Sequence, residues 1–337
     1  MSTLPVLFLD RLKRIVPQYK YHLCWESFAS VSPLMIRINT LKISRRELLE
    51  SLGRLNISYV PILPIPDALE LKNISTRQLQ ETEIFKKGFV YCQSLSSMLP
   101  AMILDPKPGE RVLDMCAAPG SKTTQMAALM HNQGIIVAVE VIRERFYKLK
   151  SVVQAQGAEI VSPRLMDARR FRPPRPPIRN FPRSRHLSHL QPSSRSLGEP
   201  ELFDKVLVDA PCSSEARFKV DEPKTYRYWS PRKIKEMVRK QRGLLLNASR
   251  WLKPDGVLVY STCSFAPEEN EGVVNWLLKK TQGTLKVIPA PLKNVETYPA
   301  VLKWQENIFD RQLDNCVRVL PNERMEGFFI AKLKMNG

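Results

Sequence analysis

The run VLDMCAAPGSKTTQM at residues 112–126 limits the fold more than any other stretch of this chain. Val112, Leu113 and Met115 are strand formers, Pro119 and Gly120 interrupt them, and Ser121 is placed to cap a helix. Strand, loop and helix in that order form the unit of a doubly wound α/β sheet, which takes its ligand at the loop. The first N–H groups of such a helix have no partner within it. Together with the macrodipole and the ammonium of Lys122 they favour an anion, such as the carboxylate of a bound cofactor. A single glycine, in place of a GxGxxG series, leaves the ligand open at this point.

The unit repeats downstream. IIVAVE (135–140) reads as a second strand, 143–156 as a helix stopped by Gly157, and a weaker third strand leads to LMDAR (165–169). KVLVDAPCS (205–213) and GVLVYSTCS (256–264) are nearly continuous apolar runs, as strands covered on both faces require. Between them Ser230 and Pro231 open a helix whose Ile234, Met237, Val238, Leu245 and Ala248 keep helical spacing, and FFIAKL (328–333) supplies a last strand. The alternation implies a mostly parallel, doubly wound sheet over residues 93–337. Residues 1–92 read as a separate small α+β module, with strand-like RINTLK (37–42), helical RRELLESLGRL (45–55), then ISYVPI and ALELK. Its Arg37, Lys42, Arg45 and Arg46 are candidate phosphate contacts. Residues 172–200, rich in proline, arginine and serine without apolar periodicity, are expected to form a disordered insert.

A formal charge of +19 and a pI near 9.8 make a polyanion the natural partner, since Lys and Arg gain affinity by releasing counterions from phosphates. The insert holds six arginines against one glutamate, and the rest of the chain stays strongly basic without it. No apolar run is as long as a membrane span, and the segment 4–9, followed by Asp10, is too short for a signal peptide, so a soluble cytoplasmic protein is expected. Six cysteines without a CxxC pair argue against structural zinc or a disulfide framework, and no metal is expected. A cysteine with a special role is then a nucleophile.

Ligands of open α/β sheets bind beyond the carboxyl ends of the strands. Here the strand ends carry Asp114, Glu140, Asp167, Asp209 with Cys212, and Cys263. Glu140 follows Gly120 by twenty residues, about the interval at which an acid reaches ribose hydroxyls. Asp167 is a candidate acceptor for an adenine amino group. Cys212 and Cys263 bring two soft nucleophiles and an acid into one crevice, and a thiol with its ordinary pKa of about 8.5 needs a positive neighbourhood to ionise near neutrality.

Taken together, CAAPGSKTTQ, LVDAPCSS, VYSTCSFAPEENE and GFFIAKL resemble the RNA cytosine-5 methyltransferases of the RsmB and Nop/Sun type, and RINTLK extends the likeness to residue 37. The resemblance implies a Rossmann-like class I methyltransferase domain using S-adenosyl-L-methionine, preceded by a small RNA-binding module. It implies that Cys116, Ala117, Ala118, Pro119, Gly120, Ser121 and Lys122 surround the methionine part of the cofactor, that Glu140 holds its ribose and that Asp167 meets its adenine. Asp209 then borders both cofactor and target base, Cys263 is the nucleophile that adds to the pyrimidine, and Cys212 assists release. The expected activity is methylation of carbon 5 of cytosine in tRNA or rRNA by a monomer. The chain departs from the family pattern at Ser121, where glycine is usual, at Glu140, where aspartate is common, and at SSEARF (213–218), in place of a glycine-containing loop beside the target base. Two other readings remain at this point: attack by Cys212, the proline–cysteine context of DNA cytosine-5 methyltransferases, and an RNA-binding or ribosome-assembly protein with weak or no transfer activity.

Overall fold

The computed structural model describes residues 4–63, 65–173 and 201–337. Helices α1 (Val6–Ile15) and α2 (Tyr21–Ala29) lead into a small antiparallel sheet. Its strands are β1 (Leu34–Ile38), β2 (Tyr59–Pro61), β3 (Ala68–Leu71) and β4 (Val90–Cys92), in the order β2-β3-β1-β4. Three helices accompany it: α3 (Arg45–Arg54), α4 (Thr76–Glu81) and α5 (Glu83–Lys86). Capping boxes start α3 (Ser44 with Glu47) and α4 (Ser75 with Gln78), satisfying N–H groups that the helices leave unpaired. Ile36, Ile38, Leu48, Leu52, Leu69 and Leu79 give this sheet its own core. Phe8, Leu12, Cys24 and Phe28 of α1 and α2 belong instead to the large core, where the Phe8 ring lies 4.9 Å from that of Phe218. Within residues 34–92 the sheet thus has a core of its own, while Met35, Ile62, Ile65 and Ala68 join the large core together with the first two helices.

That domain begins with α6 (Leu95–Leu104) and alternates β5 (Arg111–Asp114), α7 (Ser121–Leu129), β6 (Ile135–Glu140), α8 (Arg143–Gln156) and β7 (Val161–Leu165). It continues through β8 (Phe203–Asp209), α9 (Pro231–Arg250), β9 (Leu252–Thr262) and α10 (Glu271–Thr281). These five strands are parallel in the order β7-β6-β5-β8-β9. The remaining strands are β10 (Leu285–Ile288), β11 (Thr297–Tyr298), β12 (Lys303–Trp304), β13 (Asn307–Ile308), β14 (Val317–Val319) and β15 (Phe328–Met335). FFIAKL lies in β15, which runs antiparallel to β9 from Phe329 opposite Thr262 to Lys334 opposite Val257. The strand order reverses between β5 and β8, which opens a crevice beyond their carboxyl ends. The insert expected at 172–200 lies, from residue 174 on, outside the described residues. No helix among the described residues is long and apolar enough to cross a membrane.

The junction between the two sheets corrects one expectation. Arg37, only 3% exposed, donates from Nη2 to Thr124 Oγ1 at 2.9 Å, and burial pushes its guanidinium down to about 10. Lys42 Nζ donates to the carbonyls of Ala155 (2.7 Å) and Lys87 (3.0 Å), a cation on the negative end of α8. Asn39 Nδ2 bridges the carbonyls of Gly88 and Gln156 at 2.8 Å each. Gly88 has a φ of +72°, and a Cβ there would collide with the Ala155 carbonyl. Arg37 and Lys42 thus fasten the small sheet to α7 and α8 rather than meeting phosphate. Arg45 reaches the Pro66 carbonyl, and Arg46 pairs with Glu50 at 3.0 Å on the surface.

Candidate active site

A cavity of about 590 Å³ opens at the crevice. Its lining brings together residues 114–119, Ser121, Lys122, Glu140, Asp167, Asp209, Cys212 and Cys263, which are dispersed over 150 positions of sequence. Gly120 acts from behind the wall. It is the residue that precedes α7, with a φ of +112°, and a Cβ on it would lie 3.0 Å from Val152 Cγ1 and 3.2 Å from Leu149 Cδ1. Ser121 is the first helical residue and makes no side-chain cap, contrary to its expected capping role. The turn needs a left-handed residue at the cap position, and glycine adopts that conformation without steric cost.

One half of the cavity is held mostly by bonds between near neighbours in sequence. Asp114 Oδ2 accepts from Thr123 Oγ1 at 2.7 Å, and burial pushes the Asp114 carboxyl up to about 7. Glu140 Oε1 accepts from the N–H groups of Val141 and Ile142, both at 2.9 Å. Arg145 stands 3.6 Å from Glu140 Oε2 and donates to the Ala118 carbonyl at 2.6 Å. Val141 and Ile142, 59% and 47% exposed, present apolar surface to the cavity beside that acid. Asp167 is gripped by Arg169 through Nε at 3.0 Å and Nη2 at 2.6 Å, a fork that holds the carboxyl below its usual range. An amino group brought to Asp167 competes with that fork.

The other half is built across the sequence. Because β8 and β9 are adjacent and parallel, the loops after them bring Cys212 Sγ to 3.4 Å from Cys263 Sγ. Asp209 Oδ2 pairs with Lys122 Nζ at 2.7 Å, and its Oδ1 accepts from Ser261 Oγ at 2.8 Å. Lys122 also donates to Ser97 Oγ at 2.8 Å. The hydrogen bond with Cys212 and then the charge of Arg217 lower the Cys263 thiol, against its burial. The same hydrogen bond, with burial, raises Cys212. Cys263 is therefore the sulfur disposed to ionise and Cys212 the one that keeps its proton.

The SSEARF segment, which breaks the family pattern, supplies the supports of this pair. Ser213 Oγ lies 3.0 Å from Ser264 Oγ, and both hydroxyls donate to Glu269. Glu269 also accepts from Ser213 N (3.0 Å) and Gln241 Nε2 (2.7 Å). Glu215 Oε2 accepts from Phe265 N (2.9 Å) and Ala266 N (2.8 Å) and lies 3.1 Å from Ser264 Oγ, while Trp229 Nε1 donates to its Oε1 at 2.8 Å. Burial pushes Glu269 up to about 8 and raises Glu215 as well. Behind them, Arg318 donates to both oxygens of Glu271, at 2.6 and 2.5 Å, and to the Phe265 carbonyl at 3.0 Å. Glu215, Arg217 and Glu269 were not singled out from sequence. The one signal for them was the acids in EARF and APEENE, beside two serines that follow cysteines. Among the described residues no group of three or more His, Cys, Asp or Glu is arranged to hold a metal ion.

Comparison with known proteins adds independent findings. The family model described as 16S rRNA methyltransferase RsmB/F matches residues 101–334. A tRNA (cytosine(49)-C(5))-methyltransferase of Pyrococcus abyssi is 36% identical over 304 residues, covering 89% of this chain and 87% of the relative. Ribosomal RNA small subunit methyltransferase F of Escherichia coli O9:H4 is 33% identical over 339 residues. That match covers 98% of this chain, which spans only 63% of the relative's length. The crystal structure of a methyltransferase homolog protein from Pyrococcus horikoshii superposes with a TM-score of 0.72 at 30% identity, covering 98% of this chain and all of that one.

Proposed function

Since the chain belongs to the RsmB/F family of 16S rRNA methyltransferases, we propose that it transfers a methyl group from S-adenosyl-L-methionine to carbon 5 of a cytosine in tRNA or ribosomal RNA. The substrate classes follow those of its relatives, a tRNA and an rRNA methyltransferase. The protein acts in the cytoplasm as a monomer, with the small sheet serving as an RNA-binding module.

The cavity's donor set fits the cofactor. The start of α7 with Lys122 suits an amino-acid carboxylate, Glu140 suits ribose hydroxyls, and exposed Val141 and Ile142 suit the face of a flat ring, with Asp167 at its edge. Bound there, the cofactor supplies a methyl group made electrophilic by a sulfonium.

The chain's own residues prepare the acceptor. The target cytosine leaves any base stack to enter the crevice. The Cys263 thiolate adds to ring carbon 6, which gives carbon 5 the nucleophilic character of an enamine. Asp209, held by Lys122 and Ser261, shares a proton with ring nitrogen 3, which offsets the negative charge that the addition places on the ring. Once carbon 5 carries the methyl, a base removes its proton, the ring double bond re-forms and the bond from carbon 6 to the Cys263 sulfur breaks, which releases the product and returns the thiolate. Cys212 assists that elimination from 3.4 Å away.

The observation that carries this reading is the sulfur pair, with the lowered thiol on Cys263 and the raised one on Cys212. It favours Cys263 over Cys212 as nucleophile. Transfer of labelled methyl groups to RNA lacking the modification tests it. Cys263→Ala is expected to abolish both transfer and covalent RNA trapping, and Cys212→Ala to accumulate a trapped protein–RNA adduct; the reverse pattern refutes the assignment. A protein that bound RNA but neither bound the cofactor in calorimetry nor methylated RNA would be a binding protein instead.

A further inference from the structure

Of the charged groups that line the cavity, one stands beside the two thiols without a role in the reaction as described. Arg217 lines the cavity together with Asp209, Cys212 and Cys263. Its position is set by the turn that carries it. Glu215 is anchored on the N–H groups of Phe265 and Ala266, just past Cys263, and Ala216 N donates to the Cys263 carbonyl at 3.1 Å. The residue next in the chain therefore rides on the backbone of the nucleophile itself. On its far side Glu326 Oε2 stands 3.6 Å from Arg217 Nε, at the start of the segment leading to β15.

From this geometry we propose that Arg217 is a positioning and charge-stabilising residue for Cys263: its guanidinium holds negative charge on the sulfur before attack and receives it again at elimination. Glu326 opposes it. The inference rests on the reading of Cys263 as the nucleophile. Arginine suits the task because its charge does not titrate in the working range, so the effect on the thiol persists at every pH at which the protein is folded. The groups around Cys263 have opposite effects. Cys212 and Arg217 lower the thiol, while burial, Glu326 and Asp209 raise it. Lys122 stands behind Asp209 and already pairs with it, and Glu215 and Glu269 lie behind Ser264, each tied to hydroxyl or N–H donors. Arg217 is thus the cation that acts on the sulfur directly. The largest influence on the guanidinium is, in turn, the charge of Cys263, which raises it.

The pH dependence of alkylation tests this without RNA or cofactor. The intact protein is treated with iodoacetamide across a pH series, and modification of the Cys263 peptide is followed by mass spectrometry. Arg217→Gln is expected to move the Cys263 profile to higher pH and slow its alkylation at pH 7 on the order of tenfold, the scale of one nearby opposite charge. Arg217→Lys should restore most of the rate. Glu326→Gln should move the profile the other way, a response that mere loosening of the turn does not produce. Unchanged profiles in Arg217→Gln and Glu326→Gln overturn the proposal, as does a shift of the same sign in both. If Arg217→Gln does not fold, the sign of the Glu326→Gln shift decides alone, with a shift to higher pH, or none, counting against it. A shift as expected in a protein that transfers no methyl group would uphold the role of Arg217 while removing the assigned reaction.

Discussion

The two halves of the cavity are held in different ways. The cofactor half rests mainly on short-range bonds: Glu140 binds the next two N–H groups, Asp167 binds Arg169, and Gly120 turns the chain directly into α7. The cysteine half depends on partners about fifty residues apart, Ser213 with Ser264 and Glu215 with Phe265 and Ala266, and these partners are buried acids and hydroxyls. A locally held site survives changes elsewhere in the fold. A site held by buried carboxylates depends on each of them, because an acid without its donors costs far more in the interior than at the surface.

This contrast can be broken by removing one support at a time. The largest effect is expected from Arg318→Ala, which leaves Glu271 charged and buried behind the cysteine turn. Such a break costs about 3–5 kcal/mol, read as a lower midpoint in urea denaturation. An unchanged midpoint would mean that the turn does not need its long-range anchor. Gly120→Ala is smaller, about 1–3 kcal/mol from a left-handed alanine crowded against Val152 and Leu149. Calorimetry should show weakened cofactor binding, while iodoacetamide labelling of Cys263 stays as in the parent protein. A change in thiol labelling would show that the Lys122–Asp209 pair couples the two halves.

The smallest effect is one of pH. Burial raises the Glu269 carboxyl to about 8 in the folded protein, so the native state keeps a proton that the unfolded chain has released. Stability from this group therefore falls as pH rises from the ordinary carboxylate range towards about 8, and levels off above it. Asp114 and Glu215, also raised, contribute in the same direction. Glu269→Gln should flatten part of that decline in denaturation midpoints measured between pH 5 and pH 9. A slope equal to that of the parent would show that Glu269 is ionised in the native state.

Much of the fold was legible because its signals are local. Apolar runs of strand length, helices bounded by Ser230 and Gly157, and acids where strands stop all follow from covalent neighbours and hydrophobic periodicity. From them the alternation of the large sheet and the sheet edge carrying Asp114, Glu140 and Asp209 could be read. The charge of Arg37 and Lys42 misled for a related reason: composition records a cation but not its partners, and at the junction Arg37 is buried against Thr124 of α7 while Lys42 is taken up by the Lys87 and Ala155 carbonyls. Ser121 misled because a capping residue type stood beside the glycine whose left-handed backbone makes the turn.

What the sequence determined by itself, then, was the alternating sheet, the loop before α7 and the chemical types at the strand ends, all set by interactions between residues near one another in the chain. Only the tertiary structure decided that two sulfurs lie 3.4 Å apart with unequal acidity. Only it decided that Lys122 pairs with Asp209 and that Glu215 and Glu269 bind the two cysteine loops together. The physical reason is common to all of these. The pairing of β5, β8 and β9 and the exclusion of water create such bonds, and both are properties of distant segments brought together.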